Sequence, residues 1–390
     1  MFRMLKITWA QAANWRLHRQ HLDGRARKGN LLAVASRLCG LHAQVLSCAE
    51  LTAWARIENL DRAEVQQALW EERTLVKTWA MRGTLHLLPS SELPVWHAAL
   101  GTSRRYLRPN LWEKYFGITL DQLDRLSAAI GEALSNRVLT REELVREVTI
   151  LTGRKCGSKL GESSWGTILK PAAFSGWLCF GPSQGQRVRF THPDTWLEGV
   201  KSSSRPLDPQ TATAAITRRF LSAYGPATYR DLARWWGGGG IATARKWISD
   251  LGDEVCPVDL RGSSAWMLAA DARKVREVPQ ARSVRLLPGF DQYVVTASCH
   301  ADQLLPGDLR SRVYRPQGWI SPVLLVNGFM RGTWRHELKG SRIEVTVEPF
   351  VDVPTRVRRA ANHEAERLAD YLGGALNVSW KDPSAVTRTA

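Results

Sequence analysis

Leu31, Leu32, Val34, Ala35, Leu38 and Leu41 recur at intervals of three and four residues, the spacing that lines one face of a helix with apolar side chains. Gly40 is placed to end that helix, since glycine takes a left-handed backbone without strain. The periodicity then breaks over Leu41-His42-Ala43-Gln44, and a second helix is predicted for Ser47–Ile57. Asp61-Arg62-Ala63-Glu64 opens a third, with Asp61 as N-cap and Glu64 at the capping-box position, running to about Glu72. Thr78 to Leu88 alternates around Gly83 as a hairpin does. Three helices followed by a hairpin is the order of a winged helix.

The same order recurs twice. Thr140-Arg141-Glu142-Glu143 opens a helix, Ser164–Leu178 is another, and Cys179–Phe190 is a hairpin turning over Gly181–Gly185. A third round begins at Tyr224–Thr228, continues through Asp231–Trp236 and Ile241–Leu251, and closes with a hairpin over Val255–Leu268 around Arg261-Gly262-Ser263-Ser264. Comparable helix starts at 61, 140 and 228 are spaced by roughly 80 to 90 residues, the size of one such module. From Val284 onward strands dominate: Val284–Leu287, Tyr293–Thr296, Val323–Trp334 turning at Asn327-Gly328, and Ile343–Val347. A closing helix over His363–Leu372 and a frayed tail from Asp382 follow, and the Ser- and Pro-rich stretch Lys201–Pro209 reads as a linker. The expected fold class is α+β: winged helices over residues 1–105, 106–200 and 201–280, then a β domain with its closing helix over 281–390.

Composition changes the picture in one respect. A 390-residue chain with 44% hydrophobic and 23% charged residues is ordinary for a globular protein, but 54 Lys and Arg against 37 Asp and Glu leave a net charge of +17. A pI near 10.0 points to a polyanionic partner. No apolar run of 18 residues and no charged-then-apolar leader over Met1–Ala13 is present, so the expected partner is nucleic acid, in the cytoplasm, with no membrane. Arg3 to Arg37 carries eight basic residues and one acid, Asp23. Such a run is commonly a solvated helix face; this one is so one-sided that Arg25, Arg27 and Lys28 are expected to contact phosphates. The six cysteines show neither a C-x-x-C pair nor zinc-ligand spacing, so reduced thiols are expected, with no metal and no cofactor. The 17 tryptophans are read as core.

The candidate chemistry lies where the first helix pattern breaks. On a helix, residues i and i+2 point about 200° apart, so His42 and Gln44 share a target only if their segment is extended. Extended, they place two acceptors, an imidazole nitrogen and an amide oxygen, around one water molecule. The competing reading is a helix end whose loop side chains satisfy nearby backbone groups. Elsewhere, Gly237–Ala242 matches G-x-G-x-x-A, but it follows a helix where a dinucleotide site needs a strand, so it is read as a helix–helix turn. His363-Glu364-Ala365-Glu366-Arg367 lacks the second histidine of H-E-x-x-H, and no P-loop or G-x-S-x-G is present.

Leu38–Gln44, Trp79-Ala80-Met81-Arg82-Gly83-Thr84-Leu85-His86, Leu286-Leu287-Pro288-Gly289-Phe290-Asp291-Gln292-Tyr293 and Gly332-Thr333-Trp334 together resemble the bacterial tandem winged-helix DNA glycosylases that unhook interstrand crosslinks and remove bulky alkylated guanines. The resemblance covers most of the chain. It implies a monomeric, C-shaped enzyme with an open cleft for duplex DNA carrying alkylated purines, because a base tied to both strands cannot be swung into a closed pocket. The catalytic motif of that family, Gln-x-Gln or Gln-x-Asp, falls on His42-Ala43-Gln44, where histidine replaces the first glutamine with a group that titrates near neutral pH. An N7-alkylated guanine is cationic and already a good leaving group, and no lysine lies between Leu38 and Glu50 to form a Schiff base, so hydrolysis without strand cleavage is implied. The resemblance also places the third wing, Pro257–Leu268 with Arg261 and Gly262 at its turn, along the minor groove. Arg82, Thr84 and His86 are the second choice for contacts near the lesion. The rival readings are a non-catalytic winged-helix transcription regulator and a structural nucleic-acid scaffold.

Overall fold

The computed structural model describes residues 4–102, 109–162, 166–197 and 207–383, an α+β chain. Arg3, most of the expected linker, the expected domain borders near 105 and 200, and the tail from 384 lie outside the described residues. The chain divides into two compact units, one formed by Met1–Val65, Arg218–Leu232 and Ile248–Ala390, the other by Gln66–Thr217 and Ala233–Trp247. Among the described residues no helix is long and apolar enough to cross a membrane.

In the unit built on Gln66–Thr217, the strands Leu75–Trp79 and Leu85–Pro89 pair antiparallel with Val76 opposite Leu88 and Thr78 opposite His86. Their turn needs two successive left-handed residues, Arg82 at φ +60° and Gly83 at φ +65°. A second hairpin, Cys179–Gln184 with Arg187–Thr191, takes Val138–Thr140 as its third strand. That strand leads directly into the helix Arg141–Thr152, which starts as expected: the Thr140 side chain accepts from Glu143 N, and Glu143 Oε2 accepts from Thr140 N at 2.8 Å. Trp79 joins the two hairpins, 4.8 Å from the Phe180 ring and 6.3 Å from Phe190. Of the helix expected over 164–178, residues 164 and 165 lie outside the described residues; the rest is a single turn at Thr167–Leu169 followed by Lys170–Phe174, which ends early because Gly176 reverses the chain at φ +80° and Trp177 N donates to Ala172 O at 2.9 Å. The helix Leu120–Leu134, absent from the sequence reading, carries its own Thr119–Gln122 capping box. The four-glycine run is a turn between the helices Tyr229–Trp236 and Gly240–Ser249, as expected. Gly237 sits at φ +79°, and a Cβ there would lie 2.6 Å from Arg82 Cα, so the turn holds only with glycine.

In the other unit, the helix Trp9–Arg19 begins with a Thr8–Gln11 capping box, and Leu31–Arg37 and Leu46–Trp54 follow. Asp61 N donates to Glu64 Oε1 at 3.0 Å, as the capping pattern predicted, ahead of the helix Glu64–Trp70. The strands Val255–Leu260 and Ser263–Leu268 form the expected hairpin, whose two-residue turn puts Arg261 at φ +52° and Gly262 at φ +89°. Leu5–Ile7, read from sequence only as basic arm, adds to it as a parallel strand with Leu5 opposite Val258. The C-terminal sheet has five strands in the order Val284–Leu287, Val323–Val326, Phe329–Lys339, Arg342–Pro349 and Ala375–Trp380. The last runs parallel to its neighbour and is reached through the helix Thr355–Leu372, which starts well before His363. Tyr293–Thr296 is not a strand. Asp291 caps a helix over Gln292–Thr296 by accepting from Tyr293 N at 2.9 Å, and this overrides the strand preference of Tyr-Val-Val-Thr.

Candidate active site

The helix Leu31–Arg37 ends in a Schellman turn: Gly40 N donates to Ala35 O at 2.8 Å and Cys39 N to Ser36 O at 3.0 Å. Cys39, at φ +59°, takes the left-handed position expected of Gly40, and Gly40 extends the reversal at φ +95°. Two side chains from distant parts of this unit pin the reversal, Tyr224 Oη donating to Leu38 O at 2.6 Å and Gln292 Nε2 to Gly40 O at 2.8 Å. The chain then runs extended through Leu41–His42, bends at Gln44 and Val45, and enters the helix Leu46–Trp54. The backbone leading into the loop on which the candidate residues lie is therefore fixed before any substrate arrives.

His42 is 4% exposed, and its imidazole stacks on Phe290 with ring centroids 5.2 Å apart and planes 13° from parallel. Phe290 is held at φ +60°, a conformation that a bulky residue adopts only when its surroundings impose it. Those surroundings are visible. Gly289 passes so close to Ile320 O that a Cβ would sit 3.0 Å away, and Asp291 forms a bidentate pair with Arg56 at 2.6 and 2.8 Å, both side chains fully buried. Trp319 lies against Phe290 at 5.3 Å and is 52% exposed, so the aromatic column that begins at His42 reaches solvent. Ala43 is buried and Gln44 exposed, an inward methyl beside an outward amide. The nearby Cys48 thiol is pushed up to about 11, first by burial and then by Asp291, which removes it as a thiolate nucleophile at neutral pH. Among the described residues no group of three or more His, Cys, Asp and Glu is placed to hold a metal ion.

The remaining expected residues separate into surface and support. Arg27 and Lys28 are exposed on the loop that turns into Leu31–Arg37, and Arg261 and Gly262 are exposed at the hairpin tip, where Gly262 N donates to Asp259 Oδ1 at 2.6 Å. Arg25 does not stand with them: its Nη2 donates to Glu364 Oε1 and Oε2 at 2.5 and 2.6 Å. Glu364 is buried, with Arg285 at 3.8 Å and Arg367 at 3.7 Å from the same Oε1, so the Arg25 charge is spent inside the fold. Arg285 is pushed down to about 10, by burial first; Glu364 opposes this while Arg25 and Arg367 add to it. In the other unit, Arg82 Nη1 donates to Trp235 O at 2.7 Å and Thr84 Oγ1 to Met81 O at 3.0 Å. His86 is fully buried with Nδ1 3.0 Å from Thr84 O, which leaves it no surface for a ligand. These three build the hairpin turn. The residues the sequence reading gave no role are Arg56, Phe290, Asp291 and Gln292; the last three lie in a stretch singled out for its resemblance, whereas Arg56 carries no local signal.

Over residues 35–371 the chain matches the family model described as DNA glycosylase AlkZ-like. It is 36% identical over 374 residues to the interstrand DNA cross-link repair glycosylase of Streptomyces sahachiroi, covering 95% of this chain and 98% of the relative. The structure of the Streptomyces sahachiroi DNA glycosylase AlkZ aligns with a TM-score of 0.86 and 34% identity, over 97% of this chain and 100% of that one.

Proposed function

The chain belongs to the AlkZ-like DNA glycosylase family, and from that premise we propose that it hydrolyses the N-glycosidic bond of N7-alkylated or otherwise bulky purines in duplex DNA, interstrand crosslinks included, and leaves an abasic site. Its family sets it apart from a non-catalytic regulator, and the relative named for cross-link repair supports the substrate class. The observation that carries the catalytic assignment is the clamped loop: a buried imidazole stacked face to face on Phe290, two residues from an exposed amide, on a backbone tied down through Leu38 and Gly40.

In this reading His42 is the general base or water-orienting acceptor, and Gln44 holds the same water through its amide oxygen. Alkylation at N7 has already made the base a good leaving group, so the water needs orientation more than activation. Positive charge develops on the sugar as the bond breaks, and acceptors fixed nearby stabilise it without reorganising. Phe290 keeps the imidazole plane fixed, which counts because a misplaced acceptor loses most of its effect. The protein acts as a monofunctional enzyme and a monomer, with Arg27, Lys28 and the Arg261-Gly262 tip against the duplex; Arg25 supports the fold of their unit through Glu364, and Arg82, Thr84 and His86 support the hairpin turn of the other unit.

The test is base release. Purified protein is incubated with duplexes carrying several N7 adducts and one crosslink, and released base is quantified against spontaneous loss. Release above background with strands intact until alkali treatment is expected; binding without release on every adduct refutes the proposal.

A further inference from the structure

The helix Pro209–Tyr224 ends against the helix Trp9–Arg19, and its last carbonyls are taken one after another. Arg19 Nε donates to Ser222 O at 2.9 Å, Gln20 Nε2 to Ala223 O at 3.1 Å, and Arg16 Nε to Tyr224 O at 3.0 Å. Cations at a helix C-terminus satisfy its unpaired carbonyls and its dipole, so Arg16 and Arg19 have a structural explanation. Arg37 does not fit that account. It reaches the same place from the last residue of Leu31–Arg37, but its Nη1 donates to the Ser222 hydroxyl at 3.0 Å, and Arg19 Nη2 donates to that hydroxyl too. Two guanidinium groups thus converge on one neutral oxygen, and among the described residues no carboxylate pairs with either of them.

The chemistry of this point is unbalanced in one direction. A serine hydroxyl has two lone pairs and one proton; with both lone pairs taken, the proton can go only to an acceptor. Arg19 is held below its ordinary range by burial first and by Arg37 second, with Asp271 pulling weakly the other way. His21 beside them is lowered by burial and then by Arg37 and Arg56. Arg19, Arg37 and His21 border a cleft of about 590 Å³ whose lining also includes His18, Arg25 and Pro279–Ala281. Asp23, the acid in that lining, is 3.0 Å from His18 Nδ1 and accepts from Gly24 N at 2.7 Å.

We infer that Arg37, Arg19 and the Ser222 hydroxyl form an oxyanion site that binds a phosphate group, the source being the sugar–phosphate backbone of duplex DNA. Two guanidinium groups and one hydroxyl donor make a charge-assisted cradle for a tetrahedral anion, and the anion would relieve the repulsion between the two cations. Placement supports the backbone as the source. Arg37 is the last helical residue before the Schellman turn that leads to His42, and Tyr224, two residues after Ser222, grips that same turn through Leu38 O. A phosphate held here is registered to the catalytic loop by a few rigid bonds. The inference rests on the reading that the protein binds duplex DNA.

The experiment measures the affinity of the full chain for a labelled duplex across a salt series, for wild type, Arg37→Gln, Ser222→Ala and Arg37→Lys, with unfolding of each variant followed by circular dichroism. A lost phosphate contact flattens the slope of log affinity against log salt by about 0.9. Arg37→Gln should show that loss, Arg37→Lys should retain the wild-type slope with weaker binding, and Ser222→Ala should weaken binding with the slope unchanged. A second arm adds inorganic phosphate at constant ionic strength. If the slope is unchanged in Arg37→Gln but phosphate raises the melting temperature of wild type and not of the variant, the oxyanion site stands with free phosphate as its source. If folded Arg37→Gln matches wild type in both arms, the inference is overturned. Base release by wild type on the same duplex reports on the glycosylase proposal separately: Arg37-dependent binding without release refutes that proposal and leaves this site standing.

Discussion

Asp291→Asn removes the charge that balances Arg56 and leaves almost everything else in place. Both side chains have no exposed surface, and the pair is bidentate at 2.6 and 2.8 Å. The other partners of Arg56 are neutral: Thr52 O at 3.0 Å and Gln20 Oε1 at 3.5 Å. A buried guanidinium without its carboxylate is destabilising by about 3–5 kcal/mol, since the desolvation of Arg56 remains while the attraction is gone. Asp291 also caps the helix Gln292–Thr296, but an asparagine side chain can accept the same bond from Tyr293 N, so little of the loss comes from the cap. The assay is urea unfolding followed by tryptophan fluorescence, where a shifted midpoint at constant slope reports stability alone. Combining Arg56→Met with Asp291→Leu replaces the pair by apolar groups and should recover most of the loss, short by about 1 kcal/mol for the missing cap. Asp291→Asn within about 1 kcal/mol of wild type, or a double variant as unstable as the two single losses added, refutes the reasoning. Because Phe290 and Gln292 flank Asp291 and hold the His42 loop, base release by folded Asp291→Asn should fall as well.

Replacing His42 or Gln44 by Ala should each slow single-turnover base release by roughly 10²–10⁴-fold with duplex affinity near wild type, and the double variant should add little if, as proposed, both act on one water; a fully active His42→Ala protein would show that the histidine is a loop residue only. His42→Gln should stay active and lose the acid limb of the pH–rate profile. Removing Arg27 and Lys28 together should flatten the salt dependence of binding by about two units with stability unchanged, whereas Arg25→Ala should lower the melting temperature, because Glu364 then loses the cation that both its oxygens accept from. In the other unit, burial first and His192 second push His97 down to about 4 from 6.5. The unfolded chain therefore binds the extra proton first as pH falls, so this contribution to stability is intact above about pH 6.5 and is lost progressively toward pH 4, by roughly 3 kcal/mol at most. Urea unfolding of wild type and His97→Gln between pH 7 and pH 4 checks this, and equal slopes with pH would refute it.

Elements whose geometry is written in adjacent residues were legible in the chain itself. Thr140 with Glu143 and Asp61 with Glu64 announce helix starts because the capping bonds join residues three apart, and Asn327-Gly328 announces a hairpin turn because two successive left-handed residues are a local demand; Arg261–Ser264 announces another, which closes over Arg261 and Gly262 alone, with Ser263 and Ser264 already in the strand. The position of the candidate loop was also legible, since the apolar period of Leu31–Leu41 stops there. Its details were not. Gly40 had the composition of a helix stop, yet Cys39 takes the left-handed position, held there by the hydrogen bonds of the turn and by Tyr224 and Gln292 from far along the chain.

What only tertiary structure decided depends on partners distant in sequence. Leu5–Ile7 is a strand because Val255–Leu260 offers it an edge, and three residues in a basic stretch carry no period from which to read that. Tyr293–Thr296 has the residues of a strand and becomes a helix because Asp291, locked to Arg56, caps it. Arg25, Arg27 and Lys28 are indistinguishable as a run of charge; Glu364, more than three hundred residues later, claims the first and leaves the other two in solvent. Sequence determines which residues can bear charge, cap a helix or turn a chain. Which of those capacities remain for a ligand is fixed only when folding has matched each buried polar group with its partner, because an unmatched buried group costs more than any local preference supplies.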